Sequence, residues 1–261
     1  MHAAERESLI LQLVGQRGFI GFKELDRRLD ASPATIRRDL EKLAEQGRIE
    51  RVRGGARLRG DTGPAVAEPH NLTGVPFHEN IALHARQKAA IGKAAAALCA
   101  PGEAVIIDGG STTLQMCPHL EPLGLQVLTN SLHIVSGLLQ QPNTRISVPA
   151  GTLFREQNVI LSPFEDDGMN RYHASKLFMG AAAIGKMGVM QSDTLLVQAE
   201  RRLLMRADEI IVLVDSSKFA ASAGHLVFTF DEIDTIVTDQ GVTPDNMARI
   251  RDAGINLVIA E

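Results

Sequence analysis

The chain has 261 residues, 44% hydrophobic and 22% charged, with a formal net charge of −4. This is ordinary globular composition and long enough for two domains. No apolar run approaches bilayer-spanning length and the N-terminus shows no signal-peptide core, so a cytoplasmic protein without a membrane partner is expected. Cys99 and Cys117 are too few for a disulfide framework, and Cys117 with His119 is an isolated pair, so neither a metal nor a cofactor is expected. With no Trp and one Tyr, base stacking on single strands is disfavoured.

The first predicted element is a helix over Glu5–Gln16, with Leu9, Ile10, Leu13 and Val14 on one stripe. After Gly18, Phe22–Leu29 reads as a short helix with Phe22, Leu25 and Leu29 inward. A third helix begins behind Ser32, a good N-cap, with Pro33 at the first helical position, where its missing N–H costs nothing. Ile36, Leu40, Leu43 and Ala44 share one face, and Gly47 ends the helix after about Gln46. Thr35, Arg37 and Arg38 project from the other faces near the N-terminus, the end that a recognition helix inserts into the DNA major groove.

Three short helices with the last one basic form a helix-turn-helix layout. Arg48–Ala56 then alternates charged and apolar residues before a glycine pair, as a two-stranded wing would, with Arg51 and Arg53 toward phosphates. Residues 1–59 carry 13 Lys+Arg against 9 Asp+Glu, a balance of +4, while the remainder carries −8. A basic module on an acidic body confines attraction for double-stranded operator DNA to one end.

Gly60–Ala65 and Pro69–Asn71 interrupt periodicity, so 1–59 is read as the DNA-binding domain, 60–77 as a linker and 78–261 as a second domain. A helix is expected over Asn80–Cys99. Apolar runs at 104–107, 125–128, 145–148, 210–214, 234–237 and 255–259 alternate with helical segments, which predicts an α/β domain built on a largely parallel sheet.

Ligands in such sheets bind beyond the carboxyl ends of the strands. Three of those ends are polar here: Asp108-Gly109-Gly110-Ser111-Thr112-Thr113 entering a helix, Thr129-Asn130-Ser131 entering another, and Asp215-Ser216-Ser217-Lys218. The glycines would let backbone approach an anion, and Ser111, Thr112 and Thr113 offer hydroxyls and N–H groups. These ends together suggest a pocket for a small phosphorylated polyol. Isomerase chemistry would need a base, for which Asp108, Glu200 and Asp215 are candidates. Asp108 and Asp215 also sit where a carboxylate would cap its own turn, and a DNA-binding module has no place in a metabolic isomerase.

Arg6, Ile10 and Val14, the run Ser32–Leu40 and the wing Arg51–Ala56 resemble the N-terminal motif of the DeoR family of bacterial transcription regulators. Asp108–Thr113, Thr129–Ser131, the Ala150-Gly151 turn and Asp215–Phe219 are similar to its C-terminal sensor domain. The resemblance implies a winged helix-turn-helix joined to an α/β sensor related to sugar-phosphate isomerases. It implies a repressor of a sugar-catabolic operon released by a phosphorylated sugar, with a sugar-dependent activator as the alternative and an isomerase-like enzyme as the lesser one; a dimer or tetramer is expected because helix-turn-helix readers commonly use paired half-sites. By motif, phosphate would sit on Ser111, Thr112 and Thr113, with Asp108, Asn130 and Lys218 facing hydroxyls or phosphate oxygens. Gly109, Gly110, Thr129, Ser131 and Gly151 complete the expected effector set, and Ser32, Thr35, Arg37, Arg38, Arg51 and Arg53 the DNA-binding set. The chain departs from the broad family at Gln198 and Glu200, where many members carry Glu-x-Lys, and at Ala150-Gly151, where the family has Gly-Gly. Val159–Phe164 resembles a subgroup that includes regulators of ascorbate and deoxy-sugar catabolism.

Overall fold

A computed structural model describes residues 3–17, 19–29, 31–52, 55–58, 72, 74–162 and 168–261. The chain divides into two compact units, Met1–His70 and Asn71–Glu261. Among the described residues, no helix is long and apolar enough to cross a membrane.

The first unit holds α1 (Ala3–Arg17), β1 (Phe19–Gly21), α2 (Phe22–Arg28), α3 (Pro33–Glu45), β2 (Ile49–Val52) and β3 (Gly55–Leu58). Its core joins Ile10, Leu13 and Val14 of α1 to Leu25 and Leu29, to Ile36, Leu40 and Leu43 of α3, and to Ile20, Ile49 and Ala56 of the strands. Each such fully buried aliphatic side chain contributes about 1.5–3 kcal/mol, so the apolar stripes hold this small unit together. Gly47 takes φ +69 just past α3, and the N–H of Arg48 returns to the Leu43 carbonyl at 3.0 Å. The wing has three strands rather than two, in the order β1-β3-β2, because Phe19–Gly21 pairs antiparallel with Gly55–Arg57.

The second unit is a seven-stranded parallel sheet with flanking layers. Its strands are β4 (Ala104–Ile107), β5 (Gln126–Leu128), β6 (Arg145–Ser147), β9 (Ala174–Met179), β12 (Ala207–Leu213), β14 (Thr235–Asp239) and β15 (Asn256–Ala260), in the order β15-β14-β12-β9-β4-β5-β6. Successive residues alternate between the two faces. Ile107, Phe178, Ile211 and Val237 join one core with Ile91, Met116 and Ile134, while Ile106, Leu177, Val212 and Ile236 join the other with Leu203 and Ile250. A hairpin of β7 (Thr152–Phe154) and β8 (Val159–Leu161) stands apart, as does a small antiparallel sheet of β10 (Ala183–Ile184), β11 (Gly188–Gln191) and β13 (His225–Thr229).

The helices of this unit are α4 (Phe77–Asn80), α5 (Ala85–Ala96), α6 (Leu132–Leu138), α7 (Thr194–Leu204) and α8 (Pro244–Asp252). Two expectations are corrected here. The helix expected over Asn80–Cys99 is broken, since His84 takes the left-handed φ +53 between α4 and α5. The break lets the Lys88 ammonium turn back onto Asn80, donating to its carbonyl at 2.5 Å and to Oδ1 at 3.1 Å. The helix expected after Asp108–Thr113 is only a 3-10 segment, Thr113–His119; the Thr113 hydroxyl binds back to the loop, and Pro118 lacks an N–H.

Most of the expected linker 60–77 lies outside the described residues, namely 60–71 and 73. Its distal end does not behave as one. Leu72 is buried with Val159, Leu161 and Ala199, and the Phe77 N–H donates to the Glu156 carbonyl at 2.9 Å. The Phe77 ring stacks on His133 with centroids 4.0 Å apart. Residues 74–80 therefore form a strap laid on the second unit.

Candidate functional site

In the first unit, local physics aims the basic residues outward. Ser32 has extended backbone and its Oγ accepts the Thr35 N–H at 3.2 Å, with Thr35 Oγ1 2.9 Å away. This fixes the start of α3 and leaves one orphan donor satisfied. Ile36, Leu40 and Leu43 turn into the core, so Arg37 and Arg38 are exposed. The Arg37 guanidinium sits 5.1 Å above the Phe22 ring, a cation–π contact that restrains it without hiding it. Beneath, the buried Asp39 accepts from Arg6 Nε at 2.7 Å and locks α3 to α1. Arg51 on β2 is exposed and lies 3.0 Å from Glu41 Oε1 of α3. Arg53 lies outside the described residues.

In the second unit, a cavity of about 390 Å³ opens over the ends of β4, β9 and β12. Its wall includes Asp108, Gly109, Gly110, Ser111 and Thr112 from the first polar turn and Lys218 from the third. The strap contributes Gly74, Val75 and Asn80, the turn after β9 contributes Gly180–Ala182, and Gln191, Ser192 and Glu200 close another side.

The remaining expected effector residues are placed elsewhere. Thr113 is fully buried, and its hydroxyl donates to the Asp108 carbonyl at 2.8 Å and the Gly110 carbonyl at 3.0 Å. Thr129 Oγ1 accepts from the Ser131 N–H at 3.1 Å, and Ser131 Oγ accepts from the Ile134 N–H at the head of α6. These hydroxyls cap their own turns. Asn130 braces the first turn instead of lining the cavity: its Oδ1 accepts from the Gly109 N–H and its Nδ2 donates to Asp108 Oδ1, both at 2.9 Å. Gly151 sits where a Cβ would meet the Leu161 carbonyl oxygen at 2.5 Å, so it serves the β7–β8 hairpin. Gly109 also has a packing reason, since a Cβ there would fall 2.5 Å from Val159 Cγ1.

Charges on the cavity rim are held with care. Asp215 caps the 3-10 turn Ser216–Phe219, accepting from the Ser217 N–H at 3.1 Å, and does not itself reach the wall. Asp239 steadies the same turn through the Ser216 N–H at 2.6 Å and hydroxyl at 3.0 Å. Lys88 is almost fully buried, and burial pulls its ammonium pKa down to about 8, Asp215 pulling upward and Lys218 downward. At the opposite sign, burial raises Asp108 to about 6. Burial and then the neighbouring Asp108 hold Glu200 well above the usual carboxylate range.

A model of the DeoR-like helix-turn-helix domain matches residues 6–62, and one of the DeoR C terminal sensor domain matches residues 83–240. The chain belongs to the DeoR family. It is 30% identical over 258 residues, 99% of both chains, to the HTH-type transcriptional regulator UlaR of Shigella dysenteriae serotype 1 (strain Sd197). The same identity and coverage hold for UlaR of Escherichia coli O1:K1 / APEC. Among solved structures, ribose 5-phosphate isomerase A of Methanocaldococcus jannaschii aligns with TM-score 0.37 at 18% identity, covering 51% of this chain and 53% of that one. The delta chain of eIF2B from Chaetomium thermophilum aligns with TM-score 0.42 at 14% identity, covering 61% and 57%.

This DeoR-family chain is thus a DNA-binding transcription regulator with a C-terminal sensor domain. Several residues on or beside its sensor cavity escaped sequence reasoning. Lys88 looks like any helical lysine until the α4–α5 break folds it inward. Gln191, Ser192 and the strap residues carry no local motif, because they reach the wall only through pairing and packing distant in sequence. Asp239 could have been suspected from its place at the end of a buried apolar run.

Proposed function

We propose that this regulator represses a sugar-catabolic operon and that a phosphorylated sugar in the second-unit cavity lowers its affinity for operator DNA. The observation that carries the reading is the cavity wall itself. Gly110, Ser111, Thr112 and Lys218 share it, a glycine-containing polar turn and a lysine that together would cradle an anion. Thr113 contributes by holding that turn in shape rather than by touching phosphate. Arg37, Arg38 and Thr35 would read or clamp the operator, with Ser32 fixing the helix start and Arg51 and Arg53 on phosphates.

The strap supplies a physical route for the response. Gly74, Val75 and Asn80 line the cavity, and the strap follows directly in sequence on the first unit, which ends at His70. A ligand that draws on Asn80 competes with the Lys88 bonds that hold the strap down. A coupling of about 1–3 kcal/mol would change operator affinity about 5–150-fold. Paired half-sites favour a homo-oligomer acting in the cytoplasm. The relatives named as transcriptional regulators support a regulatory role rather than catalysis.

Fluorescence anisotropy on DNA from upstream of the gene's own operon, repeated with a panel of sugar phosphates, tests this. Tight, salt-sensitive binding weakened by one phosphate is the expected result. Binding strengthened by a phosphate would replace repression with effector-dependent activation, and no specific binding would overturn the reading.

A further inference from the structure

Glu200 stands out among the cavity residues. It lies on α7 with only 2% of its surface exposed, and its Oε1 accepts from Gln191 Nε2 at 2.6 Å. Its Oε2 is fully buried and has no hydrogen-bond partner among the described residues. An unpaired carboxyl oxygen in a buried site carries a desolvation penalty, which a ligand group supplying the missing partner would relieve. Both Glu200 and Asp108 line the same cavity, and Asp108 is the charge that acts on Glu200. Asp215 and Lys218 are the charges that act on Lys88. The cavity wall therefore carries an acidic pair, Asp108 and Glu200, and the Lys218 side chain as its cation.

Building on the proposed sugar-phosphate site, we propose that Glu200 is a specificity-determining residue: its free Oε2 binds a hydroxyl at the unphosphorylated end of a neutral sugar or polyol phosphate, and the acidic pair rejects sugar-acid phosphates. A hydroxyl can both donate and accept, so it satisfies Oε2 whichever carboxyl of the pair holds a proton. A ligand carboxylate would place a third acidic group in a buried space already shared by two, and like charges there are disfavoured. Gln191 acts as the positioning residue, its amide holding Oε1 and leaving Oε2 as the oxygen open to a further partner.

The test uses two compounds that differ only at C1, D-glucitol 6-phosphate and 6-phospho-D-gluconate, with the pair ribitol 5-phosphate and 5-phosphoribonate alongside. Each is titrated calorimetrically into the full chain, and affinities are normalised to inorganic phosphate in the same protein. In the wild type, at least one polyol phosphate should bind tenfold or more tighter than its acid partner. Glu200→Gln, which keeps the shape but replaces the ionisable carboxyl with an amide, should reduce that preference to threefold or less. Glu200→Asp keeps an ionisable carboxyl and should retain most of it. Equal or tighter binding of the acids by the wild type would overturn the inference, a result that needs no variant. So would undiminished selectivity in Glu200→Gln, or binding of inorganic phosphate with none of the four sugars, which leaves the phosphate cradle standing. If neither phosphate nor any sugar phosphate binds, the proposed function falls with it.

Discussion

The two units handle charge in opposite ways. On α3 the arginines that matter stand in solvent, Arg37 resting on Phe22 and Arg38 exposed, while the only buried charge in that helix, Asp39, is matched by Arg6. In the sensor unit the ionisable groups are drawn inward: Lys88, Asp108, Glu200 and Asp215 are each at least 96% buried. An exposed arginine is ready to meet a phosphate and is nearly neutral for folding. A buried lysine or carboxylate is held at a cost to stability, which only surrounding structure can offset. A surface that must grip a polyanion can therefore be built on a stable bundle, whereas a cavity that must sense a small ligand stores part of its response in strained electrostatics.

The largest effect that would break this contrast concerns Lys88. Its folded pKa, about 8, lies below its unfolded value near 10.5, so between these pH values the native chain holds fewer protons than the unfolded chain. Stability contributed at this site should rise with pH across that window, by up to about 3 kcal/mol from the shift alone. Denaturant unfolding of the wild type and Lys88→Met at pH 7 and pH 10 checks it: the difference should move in favour of the wild type at the higher pH. A parallel pH response in both proteins would mean that Lys88 is not a stressed group.

A double dissociation sharpens the contrast next. Arg38→Ala should weaken operator binding by about 1–3 kcal/mol, or reduce the salt slope by about one if it meets only phosphate, with sugar-phosphate affinity unchanged. Thr112→Val with Lys218→Ala should remove the response to sugar phosphate while leaving operator affinity in its absence within about twofold. Anisotropy and calorimetry on the same preparations read both. Loss of operator binding in the second variant would make the cradle a structural element instead.

The smallest expected effects lie on the first unit's surface. Ser32→Ala removes the cap on α3 and should lower that unit's stability by about 1 kcal/mol, read by denaturation. Arg51→Ala breaks only an exposed ion pair with Glu41 and should change stability by less than about 1 kcal/mol. A larger loss at Arg51 than at Ser32 would contradict the view that this face is built for contact rather than for folding.

The elements differ in how much of them could be read along the chain. The α3 cap, its stripe and its exposed arginines follow from residues within one or two turns, where short-range sterics and hydrogen bonding decide the outcome. Strands β4, β12 and β14 were legible because a strand buried on both faces is an apolar run wherever it lies in the sheet, and the more exposed β5, β6 and β15 from short apolar stretches between turn signals. Strand β9 was not. It begins Ala-Ser-Lys, and Glu103, far along the sequence, takes up Ser175 and Lys176, with the Ala104 carbonyl also accepting from Ser175.

A basic capped helix, a wing and a parallel sheet with polar strand ends could be read along the chain, because each depends on periodicity or on a local cap. Which polar residues line the cavity was set by packing between distant segments. Thr113, Thr129 and Ser131 look identical in kind to Ser111 and Thr112, yet their hydroxyls bind their own turns, and that choice depends on loop shape. Glu200 reached the cavity through the packing of α7 beside β11, and Lys88 was buried against Asn80 through the α4–α5 break. Burial converts an ordinary ionisable side chain into a functional one, and burial is a property of contacts between residues far apart in the chain.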